Sequence, residues 1–149
     1  RATSSWLIVD RNTKKIQRPE NFLTQFKIAY QAAESQVRIA EKLPELKETQ
    51  IRTPLFKVKI SDLDVNLHTN NVNYLKWVND TYELDFMLNN HPCSAEINYL
   101  AESRFDDEIL IRKSEKDGEK ILTDYSIIRT TDNTELSRVR LIWKKPVNG

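Results

Sequence analysis

The chain has 149 residues, of which 39% are hydrophobic and 30% charged, and its formal net charge is +1. That suits one globular domain with or without an extension. It leaves no apolar run near the roughly 18 residues of a membrane span, and no bulk charge for nucleic acid. The single cysteine, Cys93, excludes an intrachain disulfide and a cysteine-rich metal site; two glycines, Gly118 and Gly149, are too few for a phosphate-cradling loop.

Residues 2–9 (ATSSWLIV) read as a short strand that begins abruptly at Arg1, so the chain looks like a piece of a longer protein. Residues 10–13 read as a turn and 14–18 as a short return strand. Pro19 and Glu20 suit a first helical turn, and Phe22, Leu23, Phe26, Ala29 and Tyr30 recur at helical spacing, predicting a helix over 20–33. Residues 34–52, charged and interrupted by Pro44, read as a linker with little core of its own. Residues 55–60 (LFKVKI) alternate as a half-buried strand does. A polar loop follows, and then a helix from about Asn73 to Leu88, ended by Asn89-Asn-His-Pro92. Four meandering strands complete the chain: 94–103, 108–114, 120–129 and 136–144. Turns at 116–118, where Asp117-Gly118 is a strong hairpin signal, and at 131–134 separate the last three. Five strands with one long helix against them can bury a core in under 100 residues.

The loop carries the chemistry. In SDLDVNLHTNNVNYLKW (61–77), Asp64, Asn66 and His68 alternate, so an extended backbone projects all three to one side. Asn66 can donate to a carbonyl or orient a water. Histidine ordinarily titrates near neutrality and can relay a proton, and Asp64 can orient His68 or act as base. The plainer alternative is that Asp64 and Asn66 bond their own backbone as turn residues, as Asp62 is expected to do. Asn70 and Asn71 suit helix caps, beyond which backbone N–H groups can meet an oxyanion. Tyr74 and Trp77 sit at core spacing. Glu102, read alone, is a solvated strand residue.

The run DLDVNLHTNNVNYLKW resembles the D-L-D-x-N-x-H-x-N-N-x-x-Y-x-x-W signature of the acyl-ACP thioesterases of plants and bacteria. Residues 38–46 (RIAEKLPEL) resemble that family's approach to the loop. Residues 1–6 (RATSSW) and Arg18-Pro19 resemble the end of its first domain, and residues 97–103 (INYLAES) fall where it has an L-x-Y-x-x-E-C strand. The resemblance implies an α+β hotdog fold: a curved antiparallel sheet of about five strands around one long central helix, preceded by a strand and helix extension. It implies a layout of remnant strands of a preceding hotdog domain (1–18), a linker with a helix (19–52) and a C-terminal catalytic hotdog domain (53–149). The substrate would be acyl carrier protein bearing an acyl-phosphopantetheine. A second hotdog domain would pair with this one, in cis or by homodimerisation, and the part that selects acyl length would lie mostly outside the chain. No metal or organic cofactor is expected, and the compartment would be the cytoplasm, or the plastid stroma of a plant.

The same resemblance assigns catalysis to Asp64, Asn66, His68 and Glu102, and leaves Asn70, Asn71 and Ser103 as candidates for holding substrate or oxyanion. Ser103 stands where the family commonly has cysteine, and serine with no evident base is a far weaker nucleophile, so water attack is expected instead of an acyl-enzyme. The rival readings are an acyl-CoA thioesterase and a non-catalytic hotdog fragment with an exposed sheet edge; a hotdog dehydratase leaves Asn66 beside His68 unexplained.

Overall fold

The structure, a computed structural model, describes residues 2–4, 8–10, 12–13, 15–18, 41–47, 51–53 and 55–146. The chain divides into two compact units, 1–41 and 42–149.

In the first unit, β1 (Ile8–Val9) pairs antiparallel with β2 (Ile16–Gln17). Asp10 sets the turn between them: its Oδ1 accepts from the backbone N–H groups of Asn12 (3.1 Å) and Thr13 (2.7 Å) and from the Thr13 hydroxyl (2.8 Å). Of the strand expected over 2–9, residues 8–9 form β1, residues 2–4 take no regular structure, and 5–7 lie outside the described residues. The helix expected over 20–33 lies outside the described residues.

The second unit is built on an antiparallel sheet. Its segments are β3 (Ile51–Arg52), β4 (Phe56–Lys57), β5 (His91–Tyr99), β6 (Glu108–Lys116), β7 (Lys120–Arg129) and β8 (Thr134–Lys144). The order is β3-β6-β7-β8-β5, and β4 also pairs with β6. Arg52 faces Arg112 and Phe56 faces Ile109, so β3 and β4 are two pieces of one interrupted edge strand, and the sheet has five strand positions. The strand expected over 55–60 is therefore shorter than its alternation suggested; a 3₁₀ turn (Ile60–Asp62) ends it. The expected meander holds for β6, β7 and β8 only. β5 lies at the far edge, on β8, because the chain crosses the sheet between Tyr99 and Glu108.

On one face, alternate residues of β6, β7 and β8 (Ile109, Ile111, Tyr125, Ile127, Val139, Leu141 and Trp143) form a core with Tyr74, Trp77 and Val78 of helix α1 (Asn71–Asn79). The other face carries the Arg140–Asp124 ion pair, in register at 2.7 Å. The helix expected to run unbroken from Asn73 to Leu88 is two: α1, then α2 (Leu84–Asn89). The break follows from Tyr82. Its hydroxyl accepts from Trp143 Nε1 at 2.8 Å, its ring stacks on Phe86 at 4.5 Å, and the Lys113 ammonium lies 4.4 Å from its centroid. Thr81 closes the end of α1 by donating its hydroxyl to the Val78 carbonyl at 2.8 Å. Directing Tyr82 into this aromatic group outweighs continuing the helical hydrogen bonds across 80–83.

Residues 42–47 are less of a free linker than their composition suggests. Leu43 is buried, its N–H donates to Asn98 Oδ1 at 2.6 Å, and its carbonyl accepts from Arg138 Nη1 at 2.9 Å, which fixes it to β5 and β8.

Candidate active site

The loop between the 3₁₀ turn and α1 is closed on itself, not extended. Asp64 N–H donates to the His68 carbonyl at 2.8 Å, and Leu67 N–H to the Asp64 carbonyl at 3.0 Å. The Asp64 carboxylate completes the ring, Oδ1 accepting from the backbone N–H groups of Asn66 (2.8 Å) and His68 (3.2 Å). This is an Asx-type turn, and Leu67 occupies the left-handed region at φ 61° to close it. The one-sided projection expected of an extended Asp64-Asn66-His68 run therefore does not arise. Asp64 holds the turn, and Asn66 and His68 are presented from it.

The anchors on either side are Asp62, which bonds backbone as its residue type suggested, the cap residue Asn70, and Asn73. Asp62 is buried; its Oδ2 accepts from Lys59 N–H at 2.8 Å, while its carbonyl accepts from Asn70 N–H and from the buried Asn73 amide, each at 2.8 Å. Asn70 caps α1, its side chain accepting from Val72 N–H at 3.1 Å. Asn71 is the exposed first residue of α1, and its carbonyl accepts from the Tyr99 hydroxyl at 3.1 Å. The sequence marked Asn73 only as the approximate start of the helix.

Glu102 and Ser103 lie beyond the end of β5, in the connection to β6, not in the strand expected over 94–103. That connection docks on the loop. His68 bridges Arg104, and Thr69 N–H donates to the Ser103 carbonyl at 2.9 Å. Ser103 is completely buried; its hydroxyl donates to Thr69 Oγ1 at 2.7 Å and lies 3.0 Å from the Tyr74 hydroxyl. Burial pushes the Tyr74 phenol up, against an opposing hydrogen bond with Ser103, so it remains a neutral partner in this chain of hydroxyls. Docking brings Glu102 Oε2 to 3.4 Å from His68 Nε2, with His68 half-buried and Glu102 exposed.

Arg129, the last residue of β7, fixes the connection. Its Nη1 donates to the Glu102 carbonyl at 3.0 Å and lies 3.4 Å from Asp107 Oδ2, while Nε and Nη2 donate to Asp132 at 3.0 and 2.8 Å. The guanidinium holds the Asp132 carboxyl well below the usual carboxylate range. Asp107 in turn accepts from Arg104 N–H at 2.8 Å. No local motif marks Arg129, since its partners come from two separate segments, the β5–β6 connection and the turn after β7.

Asn66, Leu67, His68, Arg104 and Phe105 line an open cavity of about 340 Å³ beside the His68–Glu102 pair. Its lining combines an amide, an imidazole, the Arg104 side chain and two apolar side chains, with the Glu102 carboxylate beside the imidazole. Such a set can polarise a carbonyl, move a proton and exclude water from a carbon chain. Among the described residues, no group of three or more His, Cys, Asp and Glu side chains is placed to hold a metal ion, and no helix is long and apolar enough to cross a membrane.

A sequence-family model described as the acyl-ACP thioesterase C-terminal domain matches residues 45–145. The oleoyl-acyl carrier protein thioesterase 2 of Arabidopsis thaliana, a chloroplast protein, is 25% identical over 174 aligned positions that cover 97% of this chain and 47% of that protein. The chain spans less than half the length of the curated relatives it matches. Among solved structures, the 12:0-ACP thioesterase of Umbellularia californica superimposes with a TM-score of 0.68 at 20% identity, over 89% of this chain and 50% of that one. An acyl-ACP thioesterase from Bacteroides thetaiotaomicron gives 0.66 at 20% identity, over 91% and 53%. These likenesses, with the sheet order above, make the fold a hotdog.

Proposed function

The chain belongs to the acyl-ACP thioesterase C-terminal domain family, and on that premise we propose that it carries the catalytic half of an enzyme hydrolysing fatty acyl-ACP to free fatty acid and ACP. The observation that supports this best is the 3.4 Å approach of His68 Nε2 to Glu102 Oε2 beside a cavity that Asn66 also lines. The two side chains come from separate elements and meet at an accessible surface, where an exposed ion pair adds little stability of its own.

In this reading the Asn66 amide donates to the thioester carbonyl as negative charge develops on its oxygen. Glu102 and His68 take a proton from water as its oxygen bonds to the carbonyl carbon. The C–S bond then breaks, and His68 returns the proton to the departing sulfur, giving a carboxylic acid and the carrier thiol. Asp64 acts through the turn it closes, Asn70 and Asn71 through the start of α1, and Ser103 through Thr69 and Tyr74. No step needs a metal, an organic cofactor or a covalent acyl-enzyme. A second hotdog domain, in cis or from another copy, would complete the acyl pocket, as the relatives' greater length suggests. The compartment follows the host: plastid stroma in a plant, as for the chloroplast relatives, or cytoplasm in a bacterium.

The test is release of free thiol from long-chain acyl-ACP by the full-length protein. His68→Ala, Asn66→Ala and Glu102→Gln are each expected to lower kcat by about 100-fold or more, the usual scale for a positioned acid, base or oxyanion donor. Rates within twofold of the parent would remove catalysis from this loop. Acyl-CoA assayed in parallel decides the carrier.

A further inference from the structure

We propose that Leu67 and Phe105 form an apolar clamp for the acyl carbons nearest the thioester, and so help determine which thioesters the site accepts. This rests on reading Asn66, His68 and Glu102 as the reacting groups. The first observation is backbone strain. Leu67 sits at φ 61° with its side chain 69% exposed. Left-handed backbone disfavours a leucine and suits glycine or asparagine. The bonds from Asp64 Oδ1 to Asn66 N–H and His68 N–H bracket Leu67 and impose that conformation. A turn needed only for its shape would form more readily with either of those residues. An exposed leucine gains nothing from packing here, which leaves its side chain to act on something outside the chain.

The second observation is position. Leu67 and the 57% exposed Phe105 both line the cavity that Asn66 and His68 line, so they border the place where the carbonyl reacts. Phe105 arrives on the same connection as Glu102. Val65, two residues before Leu67 and 96% exposed, does not line the cavity. At about 340 Å³ the cavity is at the small end of the roughly 300–1,000 Å³ of ligand sites. It is large enough for the acyl carbons next to the reacting carbonyl.

The experiment compares kcat/KM of the full-length protein on acetyl-ACP and hexanoyl-ACP. Leu67→Asn keeps the left-handed turn and removes the branched apolar side chain; Phe105→Ser removes the aromatic ring; Val65→Ser is the exposed control. The hexanoyl-to-acetyl ratio is expected to fall about tenfold in the first two variants, the scale of a lost apolar contact, and to stay at the parental value in Val65→Ser. Thermal midpoints should match the parent, with Leu67→Asn equal or higher. An unchanged ratio in Leu67→Asn and Phe105→Ser overturns the clamp. Equal losses on both substrates overturn it too, placing the side chains against the thiol arm or in loop stability. A parent that releases no thiol, or a His68→Ala variant as active as the parent, overturns the underlying reaction instead.

Discussion

Ser103 shows what a single side chain contributes to this site. It follows Glu102, where a nucleophile would be sought, but it is completely buried, bonded to Thr69 and Tyr74. Replacing it with alanine leaves two buried hydroxyls short of a partner, which costs about 1–3 kcal/mol. Ser103→Ala is therefore expected to lower the thermal midpoint by several degrees while retaining turnover within about tenfold, against the 10²-fold or greater loss expected of His68→Ala. Mass spectrometry of the protein quenched during turnover should find no acyl group on residue 103. A covalent adduct there, lost in Ser103→Ala together with activity, would sink the water mechanism. The sequence made it legible that Asp64, Asn66 and His68 belong together, since three polar residues at alternate positions have few packing explanations. It also offered the plainer alternative that Asp64 bonds its own backbone, and that is where Oδ1 goes, accepting from two backbone N–H groups. Alternation describes an extended chain, and the ring closure depends on Leu67 taking a conformation that its side chain disfavours.

At the scale of elements, β6 to β8 were readable because each buries one face, and a period of two is then enforced residue by residue, as in Val139, Leu141 and Trp143. The hairpin at Asp117-Gly118 is looser than its dipeptide implies. The last β6–β7 pair is Lys116 with Leu122, and Gly118 has no positive φ, so no two-residue turn forms. The helix break was hidden because Tyr82 and Phe86 continue the apolar surface, and only the partner in β8, Trp143, shows why Tyr82 leaves the helical path. Arg129 was equally hidden, and it supplies the prediction at this scale. One guanidinium reaches Glu102, Asp107 and Asp132 together, which a lysine ammonium cannot do in the same geometry. Arg129→Ala is expected to lower kcat by 10- to 100-fold, the scale of a misplaced reacting group, with a smaller change in KM. Arg129→Lys should recover only part of the loss. The pH–rate profile should also shift, because the Glu102–His68 separation changes. The Arg129–Asp132 pair itself does not titrate in mild acid, since Asp132 is held below the usual carboxylate range and stays ionised there. A fall in stability with kcat and profile unchanged would make Arg129 purely structural.

At the scale of the whole second unit, residues 42–47 are fixed to the sheet at Leu43. Its carbonyl is held by Arg138, and Arg138 is held by Glu135 through contacts of 2.8 and 2.6 Å. Burial pushes the Glu135 carboxyl up, but the hydrogen bonds from Arg138 and Ser126 outweigh it, and the net displacement is downward from the ordinary 4.5. A carboxyl whose folded value lies below its unfolded one contributes stability above the unfolded value and loses it as pH falls through the folded value. Glu135→Gln is thus expected to destabilise the protein at pH 7 by about 2 kcal/mol, as for a lost hydrogen bond to a charged group. The difference from the parent should shrink toward zero as pH drops below the ordinary carboxylate range. Because Glu135 orients the arginine that holds Leu43, the loss should be local as well as global. Hydrogen exchange at the Leu43 amide, protected by Asn98 in the parent, should quicken in Glu135→Gln at pH 7, while the amides of Ile111 and Ile127 in the sheet keep their relative protection. Equal exchange at Leu43 in parent and variant, with the midpoint unchanged at pH 7, would mean that Arg138 holds the segment without Glu135.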